Sequence, residues 1–396
     1  MKWPEVELRD ACLKITDGSH RTPPFATSGF PFVTVTHVGS NGAIDFATPS
    51  LISSGDFADL VKNDCRPLPG DVLFSKDGTV GKVSVINFDR EFAVLSSLAI
   101  LRPNRVLIDQ KYLAYTLRWS GTLAQASHRK TGSALRRIVL KDLVKLRIPL
   151  PPLPEQKRIV RILDEAEELR RLRTEADRRT ADLIPAIFHD MFGYPATNPK
   201  GWPSVPLEQL TTRITKGESP GWQGFAYVDE GVAFLTSENV LWGAISVSSV
   251  KRVAPEFHRK LARSALRTGD VLVNLVGASI GRTCIVPAGL GDSNINQAVG
   301  VVTPKPVLNS EYLCSALLTP STQNVLNKGK VEAARANISL TDLRRLELPL
   351  PPVPLQRTFA ARVAEVRAME AEQAKSRRRL DDLFQSLLHS AFGGEL

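Results

Sequence analysis

Short apolar runs alternate with turn residues over two stretches of the chain, residues 1–148 and 194–348. The runs include PFVTVTHV, DVLFS, KVSVINF, AFLTSENV and DVLVNLV, and they are separated by Gly, Asn-Gly, Asp-Gly and Pro. Runs of Val, Ile, Phe and Thr bounded by such residues are typical of short β-strands joined by turns. Each stretch is therefore predicted to form a mainly β or α+β globule.

A proline-rich segment and then a long run of helix-forming residues follow each globule. Prolines at 149, 151, 152 and 154, and at 349, 351, 352 and 354, exclude a helical interior, but the last of each set can begin a helix. From Glu155 to Phe192 there are 38 residues with no Gly and a single proline. As a helix they would measure about 57 Å. The pattern predicts a long helical arm, with a kink near its end at Pro185.

Both arms carry a heptad stripe that is apolar at its ends and polar in its middle. The apolar or small positions are Ile159, Leu163, Ala166, Thr180, Ile184, Ile187 and Met191, and then Phe359, Val363, Val366, Leu380, Phe384, Leu387 and Ala391. The polar positions are Arg170, Arg173 and Asp177, and then Glu370, Gln373 and Arg377. Matched stripes predict that the two arms pair as an antiparallel coiled coil. The alternative is that each arm packs on its own globule, but a helix of this length would overhang a domain of about 150 residues.

The second half of the chain repeats the first. Trp3-Pro4 recurs as Trp202-Pro203 and GDVL recurs 199 residues later, while PLPPLPEQKR and PLPPVPLQR, and the Phe-Gly pairs at 192 and 392, are 200 apart. A single register held over so many positions indicates an internal duplication. The predicted domains are two globules, residues 1–148 and 194–348, each followed by an arm, residues 149–193 and 349–396.

The distribution of charge suggests what the globules bind. The 396 residues have a formal net charge of +10 and a pI of about 9.5. The surplus lies before residue 155 (+6) and in residues 194–355 (+4), whereas the remaining arm residues are nearly balanced, at −1 and +1. A polyanion is thus a candidate partner of the globules, and balanced helices suit protein contacts.

Two segments carry chemistry suited to DNA. The segment Ser127–Arg137 concentrates cations, and its counterpart spans Asn327–Ser339. Such side chains bind phosphates or guanine edges, although a solvated loop would look the same. Asn294, Asn296 and Gln297 form an amide cluster suited to adenine, although amides also cap turns.

Motifs for catalysis are missing from the sequence. There is no dinucleotide loop and no phosphate loop, and GTVGKVS at Gly78 has the wrong spacing. The six histidines and four cysteines show no metal-ligand spacing, and no nucleophile motif occurs. No run of eighteen apolar residues and no signal peptide is present. We therefore expect a cytoplasmic, non-catalytic protein with unreactive thiols and no cofactor or metal of its own.

These segments together resemble the specificity subunit of type I restriction-modification enzymes. The resemblance rests on the doubled GDVLFSKDGTVGK and GDVLVNLVGASIGR, on IVLKDLVKLRIPLPPLPEQ and ISLTDLRRLELPLPPVPLQ, and on the endings IFHDMFG and LLHSAFGGEL. ITDGSHRTPPFATSGFPFVTV also looks like the opening of a target-recognition domain, whereas its counterpart ITKGESPGWQG departs from that pattern.

The resemblance implies two target-recognition domains that each read one half of a bipartite asymmetric DNA site. It implies that the paired helical arms act as a ruler and dock two methyltransferase and two restriction (motor-nuclease) subunits. S-adenosylmethionine, ATP and Mg would then belong to those partners, and the assembled complex would methylate adenine and cut DNA. The other hypotheses are a standalone nuclease or a fused methyltransferase-nuclease, the recognition part of a related methyltransferase-nuclease system, and a coiled-coil scaffold with no nucleic-acid role.

Carried onto this chain, the resemblance gives candidate DNA-binding residues in both globules. In the first they are Lys14, Asp17, His20, Arg21, Lys76, Lys82, Arg129, Lys130, Arg136 and Arg137. In the second they are Lys216, Asn239, Asn274, Arg282, Asn296, Gln297, Lys328, Lys330 and Arg335.

Overall fold

The computed structural model describes residues 3–128, 137–327 and 337–396. Contacts divide the chain into two compact units. The first unit comprises residues 1–174 and 375–396, and the second comprises residues 175–374. Each unit therefore contains one globule, part of the helical segment that follows it, and part of the other helical segment.

The first unit contains short strands and, apart from the last, short helices. Its strands are β1 (Glu5–Glu7), β2 (Cys12–Asp17), β3 (Phe25–Ala26), β4 (Phe30–Val33), β5 (Leu51–Ile52), β6 (Val72–Ser75), β7 (Val83–Val85), β8 (Ala93–Val94), β9 (Leu98–Pro103) and β10 (Arg147–Pro149). Its helices are α1 (Leu8–Ala11), α2 (Ser54–Lys62), α3 (Gln110–Arg118), α4 (Ser120–His128), α5 (Leu140–Leu143) and the start of α6 (Leu153–Ala181).

The sheets of the first unit are mostly antiparallel. The central sheet has the order β2-β9-β6-β7, a second has the order β3-β5-β4-β8 with β4 and β8 parallel, and β1 pairs with β10. Strands β6 and β9 are buried on both faces, and the main core lies between this sheet, α3 and α6. Unbroken apolar runs, Val72–Phe74 in β6 and Leu98–Leu101 in β9, thus form the centre of the globule, as expected for strands covered on both sides.

The second unit repeats this arrangement with local differences. Its strands are β11 (Ser204–Pro206), β12 (Thr211–Lys216), β13 (Tyr227–Leu235), β14 (Lys251–Val253), β15 (Val271–Asn274), β16 (Thr283–Ile285), β17 (Asn294–Ile295), β18 (Val299–Pro304) and β19 (Glu347–Pro349). Its helices are α7 (Leu183–Phe192), α8 (Pro255–Lys260), α9 (Ser310–Leu318), α10 (Pro320–Asn327), α11 (Leu340–Arg345) and the start of α12 (Val353–Gly393). The sheets have the orders β12-β18-β15-β16, β14-β13-β17 and β11-β19.

A buried glutamine at the start of each long helix fixes that helix to its globule. The Gln156 side chain accepts a hydrogen bond from the Asp109 N–H (2.8 Å) and donates to the Leu107 and Pro151 carbonyls (both 2.8 Å). Asp109 is itself the N-cap of α3. All of these polar groups are thereby satisfied without water.

Gln356 makes the same three hydrogen bonds in the second unit. It accepts from the Asn309 N–H (2.8 Å) and donates to the Val307 (3.1 Å) and Pro351 (2.8 Å) carbonyls. Asn309 caps α9 as Asp109 caps α3. The PLPP-x-P-x-Q motif therefore encodes a specific junction in both units, which we call the glutamine junction. It consists of an extended proline stretch, the start of a helix, and a buried glutamine that hydrogen-bonds to the globule.

Segments of both long helices meet inside the first unit. Phe384 from α12 packs against Tyr115, with ring centroids 6.2 Å apart, and Arg170 from α6 lies 4.6 Å above the Phe384 ring. Arg170 also pairs with Asp381 at 2.7 Å. In this unit the beginning of α6 and the end of α12 thus share one core with the globule.

In the second unit the contributions of the two helical segments are exchanged. Phe188 and Phe192 from α7 pack on Phe359 near the start of α12, with centroids 5.6 and 5.4 Å apart. The Gln373 amide donates to the Thr180 hydroxyl at 2.9 Å. Polar stripe positions are therefore used as specific contacts within this unit.

The predicted mixture of strands and helices and the long helix near the end of the chain are confirmed. The first helical segment breaks at Asp182, between α6 and α7, three residues before Pro185. The break has a simple cause, since proline has no N–H to offer the carbonyl four residues earlier. Among the described residues no helix is long and apolar enough to cross a membrane.

Candidate nucleic-acid interface

The candidate interface of the first unit lies where β2 ends, and we call it the first rim: Asp17, His20, Lys76, Asp77, Lys82 and Arg137. Gly18 directly follows β2 and packs against the backbone of Val94. A Cβ at this position would lie 2.0 Å from the Val94 carbonyl oxygen. Only glycine fits this approach, which fixes the direction in which the next residues leave the sheet.

A buried ion pair forms the base of the first rim. The Lys76 ammonium is 1% exposed and lies 2.9 Å from an Asp17 carboxylate oxygen. The His20 ring lies 3.3 Å from the other oxygen and is 66% exposed. Asp17 thus holds a buried cation on one side and an exposed imidazole on the other, and of these three side chains only His20 is presented to solvent.

Backbone bonds connect this pair to the remaining rim residues. The Ile138 N–H donates to the Lys76 carbonyl at 2.7 Å, so that Arg137 lies beside Asp77, with a side-chain distance of 3.8 Å. The Ser75 N–H donates to the Lys82 carbonyl at 2.9 Å, which places Lys82 beside the residue that precedes Lys76. The Lys82 ammonium donates to the Val35 and Val38 carbonyls. Five predicted residues, Asp17, His20, Lys76, Lys82 and Arg137, are therefore brought into one region.

Two other predicted residues stand apart from these contacts. Lys14 lies three residues earlier on β2 and pairs with Asp64 at 2.5 Å. Arg21 is exposed, one residue after His20, and its guanidinium has no ion-pair partner in the described part of the chain. Arg21 is thus an exposed cation next to the first rim with no ion-pair partner among the described residues.

The corresponding region of the second unit, the second rim, comprises Lys216, Glu218, Ser219, Trp222, Arg263, Asn296 and Gln297. Lys216 ends β12, is exposed, and has no carboxylate partner within residues 137–327 and 337–396. Gln297 accepts a hydrogen bond from the Ser219 hydroxyl (2.5 Å), and Asn296 accepts from the Ala298 N–H (3.2 Å). Here Leu275 occupies the position of Lys76, so no counterpart of the Lys76–Asp17 pair forms among the described residues of this unit.

Two predicted asparagines are buried behind this rim. The Asn239 amide is 2% exposed, accepts from the Thr236 N–H (2.8 Å) and donates to the Ser246 carbonyl (3.0 Å). Asn274 is fully buried and donates to the Ser237 carbonyl (2.8 Å). Both side chains close loops in this structure, because their amide nitrogens donate to backbone carbonyls, whereas the Asn274 Oδ1 is buried and has no hydrogen-bond partner among the described residues.

Of the other predicted residues, the structure describes only Arg282. Arg282 is half-buried just before β16, and its N-terminal neighbour Gly281 packs on Gln323. The remaining predicted residues lie outside the described residues: Arg129, Lys130, Arg136, Lys328, Lys330 and Arg335.

Four residues of the second rim, Glu218, Ser219, Trp222 and Arg263, were missed by the sequence reasoning. Glu218 accepts hydrogen bonds from both Gln223 and Arg263, and the Trp222 side chain next to it is 73% exposed. The Pro-Gly-Trp-Gln-Gly sequence at 220–224 was a usable signal, since it predicts a tight turn that leaves its aromatic residue outside.

The described residues contain no group of three or more His, Cys, Asp or Glu side chains suited to a metal ion. All four cysteines are free, and burial raises the pKa of the Cys12 and Cys284 thiols to about 12. Thiols held this far above neutral pH are protonated and unreactive. The chemistry that the rims offer is hydrogen bonding, cationic contact and exposed aromatic surface.

Comparison with known proteins identifies the family. The family model for the type I restriction modification DNA specificity domain matches residues 2–177 and 249–377. The chain belongs to this family. The match includes both glutamine junctions and the first rim, whereas Lys216, Trp222 and Asn239 lie in the unmatched segment.

Curated relatives agree with the family assignment. The chain is 26% identical over 314 residues to the EcoBI specificity subunit of Escherichia coli, covering 70% of this chain and 64% of that subunit. It is 24% identical to the putative MjaX specificity subunit of Methanocaldococcus jannaschii, covering 100% and 93% respectively.

Solved structures show a related fold. One comes from work on complex assembly and conformational transition of the type I R-M system (TM-score 0.64, 21% identity, 100% of this chain and 98% of that chain). Another is the type I restriction-modification S subunit from M. genitalium (TM-score 0.51, 13% identity, 99% and 96%).

Proposed function

We propose that the chain is the DNA sequence-recognition subunit of a type I restriction-modification complex and supplies no catalytic group itself. The observation that carries this proposal is the repeated construction of the two units. Each anchors a long helix by a glutamine junction and presents, at the end of its first long strand, a rim of different polar and charged side chains. Membership of the family supports it.

Each unit would read one half of a bipartite asymmetric site. The rims differ in composition: the first exposes His20, with the exposed Arg21 next to it, whereas the second exposes Lys216 and Trp222. Different side chains select different base edges, so two unlike rims would produce an asymmetric site. The buried candidates Lys76, Asn239 and Asn274 would then position the reading loops, while exposed cations contact phosphates.

The two helical segments would pair as an antiparallel coiled coil and dock the other subunits. Within each unit the start of one segment already contacts the end of the other, through Arg170 and Asp381 or through Phe188 and Phe359. Two methyltransferase subunits with S-adenosylmethionine, and two restriction subunits with ATP and Mg, would bind there in the cytoplasm. The chemistry of adenine methylation and DNA cleavage would belong to those partners.

The decisive experiment is sequencing of methylated bases in cells that express the chain with its modification partner. A bipartite, asymmetric methylated motif that disappears when the chain is deleted is the expected result. Methylation that persists without the chain, or that shows no sequence preference, would contradict the proposal. Exchange of residues 194–348 for the matching domain of a relative should change one half of the motif only.

A charge-matched pair of variants tests the second rim directly. Lys216→Ala should weaken DNA binding and lower the slope of log K against log salt by about 0.9, as expected for one lost phosphate contact. The control is Lys305→Ala, because Lys216 pairs with Gly300 at one end of β18 whereas Lys305 follows Pro304 at the other end. Equal effects of the two variants would indicate general electrostatics and not a contact at the rim.

A further inference from the structure

A rigid turn in the second rim carries an exposed tryptophan. Trp222 is 73% exposed, and no aromatic or cation–π partner for its ring occurs among the described residues. Tryptophan is on average a largely buried residue, since its ring gains more from removal from water than any other side chain. Single exposed apolar residues are common, so the surroundings of this one decide its meaning.

The backbone around Trp222 is fixed on both sides. Its N–H donates to the Ser219 carbonyl (3.2 Å), and the Phe225 N–H donates to the Pro220 carbonyl (3.0 Å). Upstream, Gly217 packs so closely that a Cβ would lie 1.7 Å from the Ile295 carbonyl oxygen. Downstream, the Phe225 ring packs on Phe257 with centroids 5.5 Å apart.

Side chains brace the same turn. The Glu218 carboxylate accepts hydrogen bonds from Gln223 and from Arg263, while the Ser219 hydroxyl donates to Gln297. Residues on both sides of Trp222 are therefore held by polar contacts, yet the indole is left outside. A rigid aromatic group presented in this way loses little entropy on binding, which is the property of an interface anchor.

The position of the ring points to the ligand. Trp222 lies six residues after the exposed Lys216 and on the turn held by Gln297, in the rim proposed above to meet DNA. In the matching loop, which follows Gly18 as this one follows Gly217, the first unit exposes His20 and Arg21, which are hydrogen-bonding and charged. The two units thus present different chemistry in equivalent loops.

We propose that Trp222 is a specificity-determining residue that contacts an apolar base surface in the half-site read by the second unit. This inference rests on the proposed function. The surface is either the methyl group of a thymine in the major groove or the face of an unstacked base. Sequence would then be read in this half partly by apolar contact and not by hydrogen bonds alone.

The test compares Trp222→Ala and Trp222→Phe with a matched control, Trp242→Ala. Trp242 is also exposed (57%), but it lies on a different turn. In that turn the Gly243 N–H donates to the Thr283 carbonyl, whereas the Trp222 turn is held by Gln297. Each full-length variant replaces the wild type beside its modification partner. Methylated bases are sequenced, and binding to a duplex carrying the wild-type motif is measured.

Trp222→Ala should bind that duplex about 5- to 100-fold more weakly. It should also relax the motif at one or two positions of a single half. Trp222→Phe should retain most of the affinity, and Trp242→Ala should match wild type. The melting temperatures should all agree, because the ring contributes little to the core.

Modified duplexes identify the base surface. Replacement of each thymine by uracil removes its methyl group, and 2-aminopurine fluorescence reports unstacking. One of these changes should affect wild type and not Trp222→Ala. If Trp222→Ala keeps the wild-type motif and affinity, or if neither modification separates it from wild type, the inference is wrong although the proposed function stands. If wild type itself shows no sequence preference, the proposed function fails first.

Discussion

The two units use the same residues where a long helix begins and different residues where the globule meets solvent. Gln156 and Gln356 make the same three hydrogen bonds, and Tyr112 and Tyr312 both donate to a proline carbonyl of the junction. At the rims, by contrast, Lys76 is replaced by Leu275. Buried polar junctions allow few solutions, because an unpaired buried group costs free energy, whereas exposed positions tolerate many side chains.

An ion pair in the central sheets is intermediate between the identical junctions and the different rims: its buried aspartate is the same in both units, but its arginine is not. Asp71 and Asp270 are equivalent and almost fully buried, and each is paired with an arginine. In the first unit the arginine is Arg102 on β9, whereas in the second it is Arg213 on β12. Arg102 lies opposite Lys14 in the first unit, and Thr303 lies opposite Arg213 in the second. The arginine that pairs with the buried aspartate has therefore moved from one strand of this pair to the other. The buried carboxylate requires a cation, but the fold accepts it from either neighbour.

Loss of the glutamine junction should destabilise either unit more than any other single change considered below. Gln156→Leu should lower the free energy of unfolding of the first unit by about 3–5 kcal/mol, because three buried groups lose their partners. Gln356→Leu should do the same to the second. Hydrogen exchange resolved by unit is the measurement. Gln209→Leu, at an exposed position, is the control, and tolerance of either junction variant would contradict the equivalence of the two junctions.

A smaller effect tests the exchanged arginine. Arg213→Thr leaves the Asp270 carboxylate without its cation and should cost about 3 kcal/mol in the second unit. Adding Thr303→Arg places an arginine where the first unit has Arg102 and should restore about half of that loss. Denaturant unfolding of the single and double variants measures the recovery. If the double variant recovers none of the lost free energy of unfolding, the arginine cannot be moved between these two strands of the second unit.

The smallest effect is a pH dependence of stability that we expect in the first unit and not in the second. Burial lowers the pKa of His37, opposed by the nearby Asp45 carboxylate, and its Nδ1 accepts a hydrogen bond from the Thr34 N–H. In the second unit Asn239 makes the equivalent contact to Thr236 and does not titrate.

The folded-state pKa of His37 lies below the unfolded value, so the unfolded chain binds the proton more readily. The contribution of His37 to stability is therefore lost as pH falls from about 7 to 5. Hydrogen exchange in the first unit should show this loss, and His37→Asn should abolish it. An unchanged pH profile in His37→Asn would assign the effect elsewhere.

Sequence reasoning predicted the features that depend on local pattern. The mixture of strands and helices and the long helix near the end of the chain could be read from the pattern of residues, and the family from the resemblance of the doubled motifs. The break before Pro185 followed from the covalent structure of proline.

Features that depend on tertiary partners could not be predicted. Lys76 looked like a DNA-facing cation, but its burial depends on Asp17 from another strand. Gln156 was visible within a motif, yet its role needs the loop that contains Leu107 and Asp109. The exposure of Trp222 similarly depends on Glu218 joining Gln223 and Arg263, which adjacent sequence does not reveal.

The division of the chain has a consequence for its synthesis on the ribosome. The second unit is one continuous segment, residues 175–374, whereas the first needs residues 375–396 as well. Phe384 and Phe392 pack on Tyr115 and Tyr112, so the first globule emerges early but lacks part of its core until these residues have been translated. During that interval its apolar surface near Tyr112 and Trp119 is uncovered, and a nascent chain stalled before Phe384 should recruit chaperones there.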